Sequence, residues 1–96
     1  MARGYWVVTF DSVSDEGGVA AYANASLPVI QRQGGRVLIA GVPAFSHEAG
    51  SKQRVAVAEF DSVEAAEAAY LSQAYQASLR HLVGAAVRDV RIVEGR

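Results

Sequence analysis

Residues 5–13 read YWVVTFDSV, and residues 54–63 read RVAVAEFDSV. Each stretch opens on a short run of aromatic, β-branched and apolar residues and closes on the same Phe-Asp-Ser-Val. The runs Tyr5–Phe10 and Arg54–Phe60 are too short for helices and rich in strand formers, so each reads as a strand. Both are followed by side chains suited to starting a helix. Asp11, Ser12, Ser14 and Asp15 offer capping oxygens ahead of Glu16, and Asp61 with Glu64 has the spacing of a capping box. The echo therefore marks one event twice, a strand handing over to a helix.

Working outward from these junctions gives the remaining elements. From about Asp15 to Gln33, Val19, Ala23, Leu27 and Ile30 share a helical face, with Tyr22 and Ser26 beside them. Pro28 lies within this helix, pointing off the stripe, and is expected to kink it. Gly34-Gly35 end it, because glycine enters the left-handed cap conformation freely. Arg36–Val42 is a second strand, and the polar stretch Pro43–Gln53 is a loop. In the second helix Val63, Ala66 and Tyr70 form one stripe and Tyr75, Leu79 and Leu82 another. The five-residue step between them predicts a break near residues 72–74. Gly84 closes that region, and Asp89–Glu94 is the last strand. The order βαββαβ is that of an α+β, ferredoxin-like fold, a four-stranded antiparallel sheet with two helices on one face. We expect a single domain over residues 1–96.

Composition narrows the function classes. The chain has 96 residues, 51% of them hydrophobic, no cysteine, and nine basic against ten acidic side chains. A net charge of −1 supplies no attraction to nucleic acid or an anionic membrane, so neither partner is expected. The absence of cysteine removes thiolate metal sites, and His47 and His81 lack a second ligand at metal spacing, so no metal and no cofactor is expected. Met1-Ala2-Arg3-Gly4 runs straight into a strand, unlike a signal peptide, and a cytoplasmic location is the simplest expectation.

The strands are apolar on both faces. Trp6, Val8, Phe10, Val37, Ile39, Val55, Val57, Val90 and Ile92 are assigned to one side. Tyr5, Val7, Thr9, Leu38, Ala40, Ala56, Ala58 and Val93 take the other. Two helices cover one face only, so the other is expected to pack on a second copy of the chain, giving a homodimer.

Tyr22, Ser26, Glu59, Ser72 and Tyr75 are the candidate ligand pocket, grouped where the helix kink and the helix break disturb regular packing. Glu59 interrupts an apolar strand. A buried carboxylate there serves as a general base or ligand anchor; the alternative is an ion pair with an arginine. For the tyrosines the alternative is ordinary core packing with satisfied hydroxyls. Arg36, Arg54 and Arg91 open strands that run in different directions, so they do not converge on one anion.

Gly4-Tyr5-Trp6, Tyr22 with Pro28, Gly34-Gly35-Arg36, Val57-Ala58-Glu59-Phe60, Glu64-Ala65-Ala66, Ser72 with Tyr75-Gln76, and Val93-Glu94-Gly95 together resemble the bacterial family called domain of unknown function 1330. The resemblance spans essentially the whole chain. It implies membership of the dimeric α+β barrel superfamily, which includes cofactor-free monooxygenases, isomerases and small-molecule-binding proteins. Two positions depart from the family pattern. Ser72-Gln73-Ala74-Tyr75 stands where the family has Ser-Pro-Glu-Tyr, and Val19 replaces an early tyrosine. The functional expectation is a homodimer binding a small molecule between sheet and helices, with a cofactor-independent enzyme left open. The alternative is a non-catalytic binding or structural domain.

Overall fold

A strand that must bury both Trp6 and Phe10 on one side belongs at the centre of a sheet, and that is where β1 (Gly4–Val13) lies. A computed structural model describes residues 2–96. In it α1 (Glu16–Arg32), β2 (Arg36–Gly41), β3 (Val55–Phe60), α2 (Val63–Leu71), α3 (Gln73–Ser78), a 3-10 turn (Leu79–Leu82) and β4 (Ala86–Glu94) follow β1. The four strands form an antiparallel sheet in the order β2-β3-β1-β4. This is the ferredoxin-like arrangement, with all helices on one face. Among the described residues, no helix is long and apolar enough to cross a membrane.

The core follows from register. Trp6 faces Ala58 on β3 and Ile92 on β4, and Val8 faces Ala56 and Val90. Trp6, Val8 and Phe10 are almost fully buried beneath the helices with Phe60, Ala66, Tyr75 and Leu82. The indole Nε1 of Trp6 donates to the Ala66 carbonyl at 2.8 Å, and its rings meet Phe60 at 4.9 Å and Tyr75 at 4.7 Å.

Register also corrects the face assignment made from alternation. Ala56 and Ala58 lie under the helices, whereas Val55 and Val57 face outward, because β3 is read against Val8 and Trp6. Leu38 is an extra residue in β2, so Val37 pairs with Ala58 while Ile39 pairs with Val57 and crosses to the open face. That open face remains apolar, with Val7 37%, Ile39 51% and Val93 46% exposed. Strand limits shift as well. β1 runs to Val13 through a bulge at Asp11, and β4 begins at Ala86 rather than Asp89, so Arg88 lies inside a strand.

Helix boundaries show which capping signals operate. Asp15 caps α1, its side chain accepting from the Gly17 N–H at 2.9 Å. In the second helical region the cap is Ser62, whose hydroxyl accepts from the Ala65 N–H, and not Asp61. Asp61 turns outward toward Arg3, 3.6 Å away. At the other end of α1 the Gly35 N–H returns to the Ile30 carbonyl and the Gly34 N–H to Gln31, with Gly34 at φ 85°. These two hydrogen bonds to the last turn are the glycine stop the sequence predicts. Pro28 is exposed, and α1 is assigned as one helix through it. Ala23 and Leu27, expected in the buried stripe, are exposed instead; Val19, Ser26, Val29 and Ile30 carry the packing.

The helical break falls at Ser72, whose extended backbone (φ −61°, ψ 145°) ends α2 and starts α3. Its hydroxyl donates to the Ala69 carbonyl at 2.8 Å and accepts from the Tyr75 N–H at 3.2 Å. One serine thus caps both helices and directs Tyr75 into the core.

α1 packs chiefly against α3 and the 3-10 turn. Gly18 sets the close approach, since a Cβ there would fall 2.7 Å from the His81 carbonyl oxygen and against Ala85. Gly17, one position earlier, faces only the exposed Asp15 side chain. Gly18→Ala is expected to cost ~1–3 kcal/mol in urea unfolding through overpacking. Gly17→Ala should change stability by about 0.5 kcal/mol or less, or raise it through helix propensity.

Candidate functional site

Where α1 rides over β2 and β3, small side chains leave space. Ala20 and Ala23 on the helix and Ala40, Ala56 and Ala58 on the sheet line a cavity of about 440 Å3. Trp6, Val8, Leu27, Ile30 and Val37 complete mostly apolar walls, and Glu16 and Arg54 stand at the rim. These two rim side chains approach to 3.9 Å and are both well exposed.

The polar end is formed by Arg88, Tyr22 and Tyr75. Because Phe10 pairs with Arg88 just before the β1 bulge, Arg88 shares the inner face with Val90 and Ile92. Its Nη1 donates to the Tyr22 hydroxyl at 3.2 Å and its Nη2 to the Tyr75 hydroxyl at 3.3 Å. The two hydroxyls are themselves 2.6 Å apart. The guanidinium also lies 4.8 Å from the Tyr22 ring centre and 5.8 Å from that of Phe10, within cation–π range. Burial, reinforced by the neighbouring Tyr22 hydroxyl, pushes the Tyr75 phenol well above its ordinary value, so it is neutral at physiological pH.

The five residues singled out from sequence do not all meet. Tyr22 and Ser26 line the cavity, and Tyr75 supports Tyr22 from behind it. Ser72 is the double cap described above. Glu59 lies on the opposite, open face, where the register Arg36–Glu59–Tyr5 puts three polar side chains side by side. Tyr5 donates to Glu59 Oε2 at 2.7 Å and Arg36 Nε to Oε1 at 3.0 Å. The Tyr5 hydrogen bond and then the Arg36 contacts hold the Glu59 carboxyl below its usual range, and the same bond raises the Tyr5 phenol. Glu59 is thus an ion-paired strand residue, not a base in the cavity.

Arg88 is the site residue that sequence reasoning missed. Starting β4 at Asp89 left it in a loop. The available signal was the alternation Arg88, Val90, Ile92, which places it in phase with two apolar residues. Arg36, Arg54 and Arg91 each have a carboxylate within reach, Glu59, Glu16 and Asp89 respectively. They do not converge.

A family model described as "Domain of unknown function (DUF1330)" matches residues 3–96. The chain belongs to the DUF1330 family. Among solved structures the DUF1330 chain is similar to the RPA0582 protein of unknown function from Rhodopseudomonas palustris. That likeness has 24% identity and a TM-score of 0.68 over 97% of this chain and 80% of that one. It is also similar to a dimeric ferredoxin-like protein of unknown function from Thermobifida fusca, at 18% identity and TM-score 0.62 over 97% and 89% of the two chains. A third relative is SnoaB, a cofactor-independent oxygenase from Streptomyces nogalater, at 11% identity and TM-score 0.63 over 99% and 92%. At these identities the likeness establishes the fold. No curated protein matches the chain.

Glu59 makes a pH-dependent contribution with a definite sign. Its carboxyl ionises at lower pH in the folded than in the unfolded chain, so the stabilisation is complete at neutral pH. It is lost as pH falls through the folded-state value. The urea midpoint of wild type should therefore exceed that of Glu59→Gln at pH 7, with the gap closing as pH falls below the ordinary carboxylate range.

Proposed function

We propose that this DUF1330 chain binds a small, largely apolar molecule in the cavity between α1 and the sheet, as a cytoplasmic bacterial homodimer joined through the open sheet face. The observation that carries the reading is the cavity itself. Its volume of about 440 Å3 falls within the ~300–1,000 Å3 common for small-molecule sites. Its walls are mostly apolar, with Tyr22 and Arg88 forming a polar end and Glu16 and Arg54 at the rim, and a few placed polar groups of this kind fix a ligand's orientation. The lining alanines leave the volume unfilled, whereas a chain selected only for packing gains by filling it.

Binding is favoured over proton-abstraction chemistry by the groups present. The polar end offers the Tyr22 phenol, backed by that of Tyr75, and a guanidinium. Glu16, the carboxylate on the lining, stands at the rim facing Arg54 with its side chain 77% exposed. SnoaB is described as a cofactor-independent oxygenase, and its shared fold keeps catalysis without a cofactor as the second reading.

The dimer is supported by the row of valines and Ile39 on the open face, and by solved relatives from Thermobifida fusca and Bacteroides fragilis described as dimeric. The net charge of −1 gives no support to a nucleic-acid partner.

A thermal-shift screen of small apolar compounds tests the binding reading. Ligands of the native state should raise the midpoint by a few degrees at about 100-fold excess over Kd. Ala56→Leu, which fills the cavity from its floor, should abolish the response. A response that survives this substitution places binding elsewhere. Light scattering at micromolar concentration should give twice the 10.1 kDa chain mass, and Val7→Lys with Val57→Lys should return it to the single-chain value. A single-chain mass for wild type rejects the dimer.

A further inference from the structure

We infer that the cavity takes an anion: a small acid whose carboxylate, phenolate or enolate oxygen is held by the Arg88 guanidinium and the Tyr22 hydroxyl, and whose apolar frame lies along the alanine-lined walls. The inference rests on the small-molecule reading above and names the ligand's chemistry.

Arg88 is aimed inward by register, in phase with Val90 and Ile92, and its guanidinium sits among aromatic rings. Arginine does not shed its proton in proteins, so this position carries a fixed positive charge. Among the described residues no carboxylate lies within ion-pair distance of it, in contrast with Arg36, Arg54 and Arg91. Its hydrogen-bond partners are two phenol hydroxyls. A partly desolvated cation without a counter-charge is costly, and an anionic ligand removes that cost on binding.

Counting protons at the phenol pair leads to the same chemistry. Each phenol oxygen accepts from Arg88, and one hydroxyl proton bridges the pair at 2.6 Å. One O–H is left over. Tyr75 is 1% exposed, so its proton finds an acceptor only in Tyr22. Tyr22, which lines the cavity, then points its own O–H toward the ligand. Guanidinium N–H groups and a phenol O–H are all donors, and the partner that satisfies them is an oxygen acceptor, most strongly when it is charged. Burial keeps Tyr75 un-ionised, so it supplies no competing anion.

Arg88 also borders a second, more open cleft of about 270 Å3 beside Leu79 and Val83, so the test must locate the site as well as its charge preference. Naphthalene-2-carboxylate and its neutral isostere naphthalene-2-carboxamide are titrated by calorimetry against wild type, Arg88→Met and Ala56→Leu, with circular dichroism to confirm folding. Wild type should bind the acid about tenfold or more tightly than the amide, the scale of a charge-assisted hydrogen-bonded pair. Arg88→Met should bring the ratio to about one while leaving amide affinity within roughly twofold. Ala56→Leu should weaken both probes together. Should Arg88→Met fail to fold, Arg88→Lys serves in its place, expected to keep a preference for the acid, and the wild-type ratio already decides the charge claim. Equal affinity of wild type for both probes overturns the anion inference and leaves the small-molecule reading standing. So does an acid preference that survives Arg88→Met. Acid binding unaffected by Ala56→Leu overturns the assignment to this cavity. Absence of binding by either probe counts against both readings.

Discussion

The hydrogen bond from the Trp6 indole to the Ala66 carbonyl ties the helical layer to the middle of the sheet. Trp6 belongs to β1, an interior strand paired with both β3 and β4, so a group fixed to it is fixed relative to three of the four strands. Removing a buried tryptophan costs on the order of 3–5 kcal/mol, a large share of the stability of a chain this size. From this anchor the order propagates by contact. α2 is held over β1, β4 and β3, Ser72 ends it, and α3 leaves in the direction that presses Tyr75 on the Trp6 ring. Tyr75 in turn positions Tyr22 on α1 and Arg88 on β4.

That chain of contacts accounts for the cavity. α1 is held along one side by α3, the 3-10 turn and the phenol pair, with Gly18 permitting the close approach. On its other side it overhangs β2 and β3, where alanines stand in place of larger apolar residues. A helix secured along one edge and undercut along the other leaves a slot with one polar end. The same alanines that weaken packing under α1 are what keep the slot open.

Much of the architecture was legible because local chemistry and global fold agree. The run from Tyr5 to Phe10, the paired Gly34-Gly35 and the five-residue step between the Tyr70 and Tyr75 stripes carry strand, stop and break in short stretches of chain. What was not legible depends on register. One extra residue at Leu38 moves Ile39 to the opposite face, and alternation within a single strand says nothing about which phase its neighbour adopts. Glu59 read as an isolated carboxylate because Arg36 and Tyr5 become its neighbours only across strands. Arg88 was hidden for a related reason. An arginine at a strand start resembles a solvated end until pairing with Phe10 shows which side it takes. Tyr22, Ser26 and Tyr75 were singled out for lying near Pro28 and the break at Ser72, and of the two only the break interrupts the helix.

The central position of β1 also has a kinetic consequence. Its two partners arrive late in the chain, Gly4 pairing with Phe60 on one side and Glu94 on the other. The first strand made is therefore the last to be enclosed, and its aromatic, β-branched sequence stays without a partner on one edge until β4 has been synthesised. Closing such long loops before any contact compensates them slows folding relative to helical bundles of equal size. During that interval the nascent chain exposes a strand suited to pairing with another copy, so crowding on neighbouring ribosomes or overexpression favours aggregation over the native sheet.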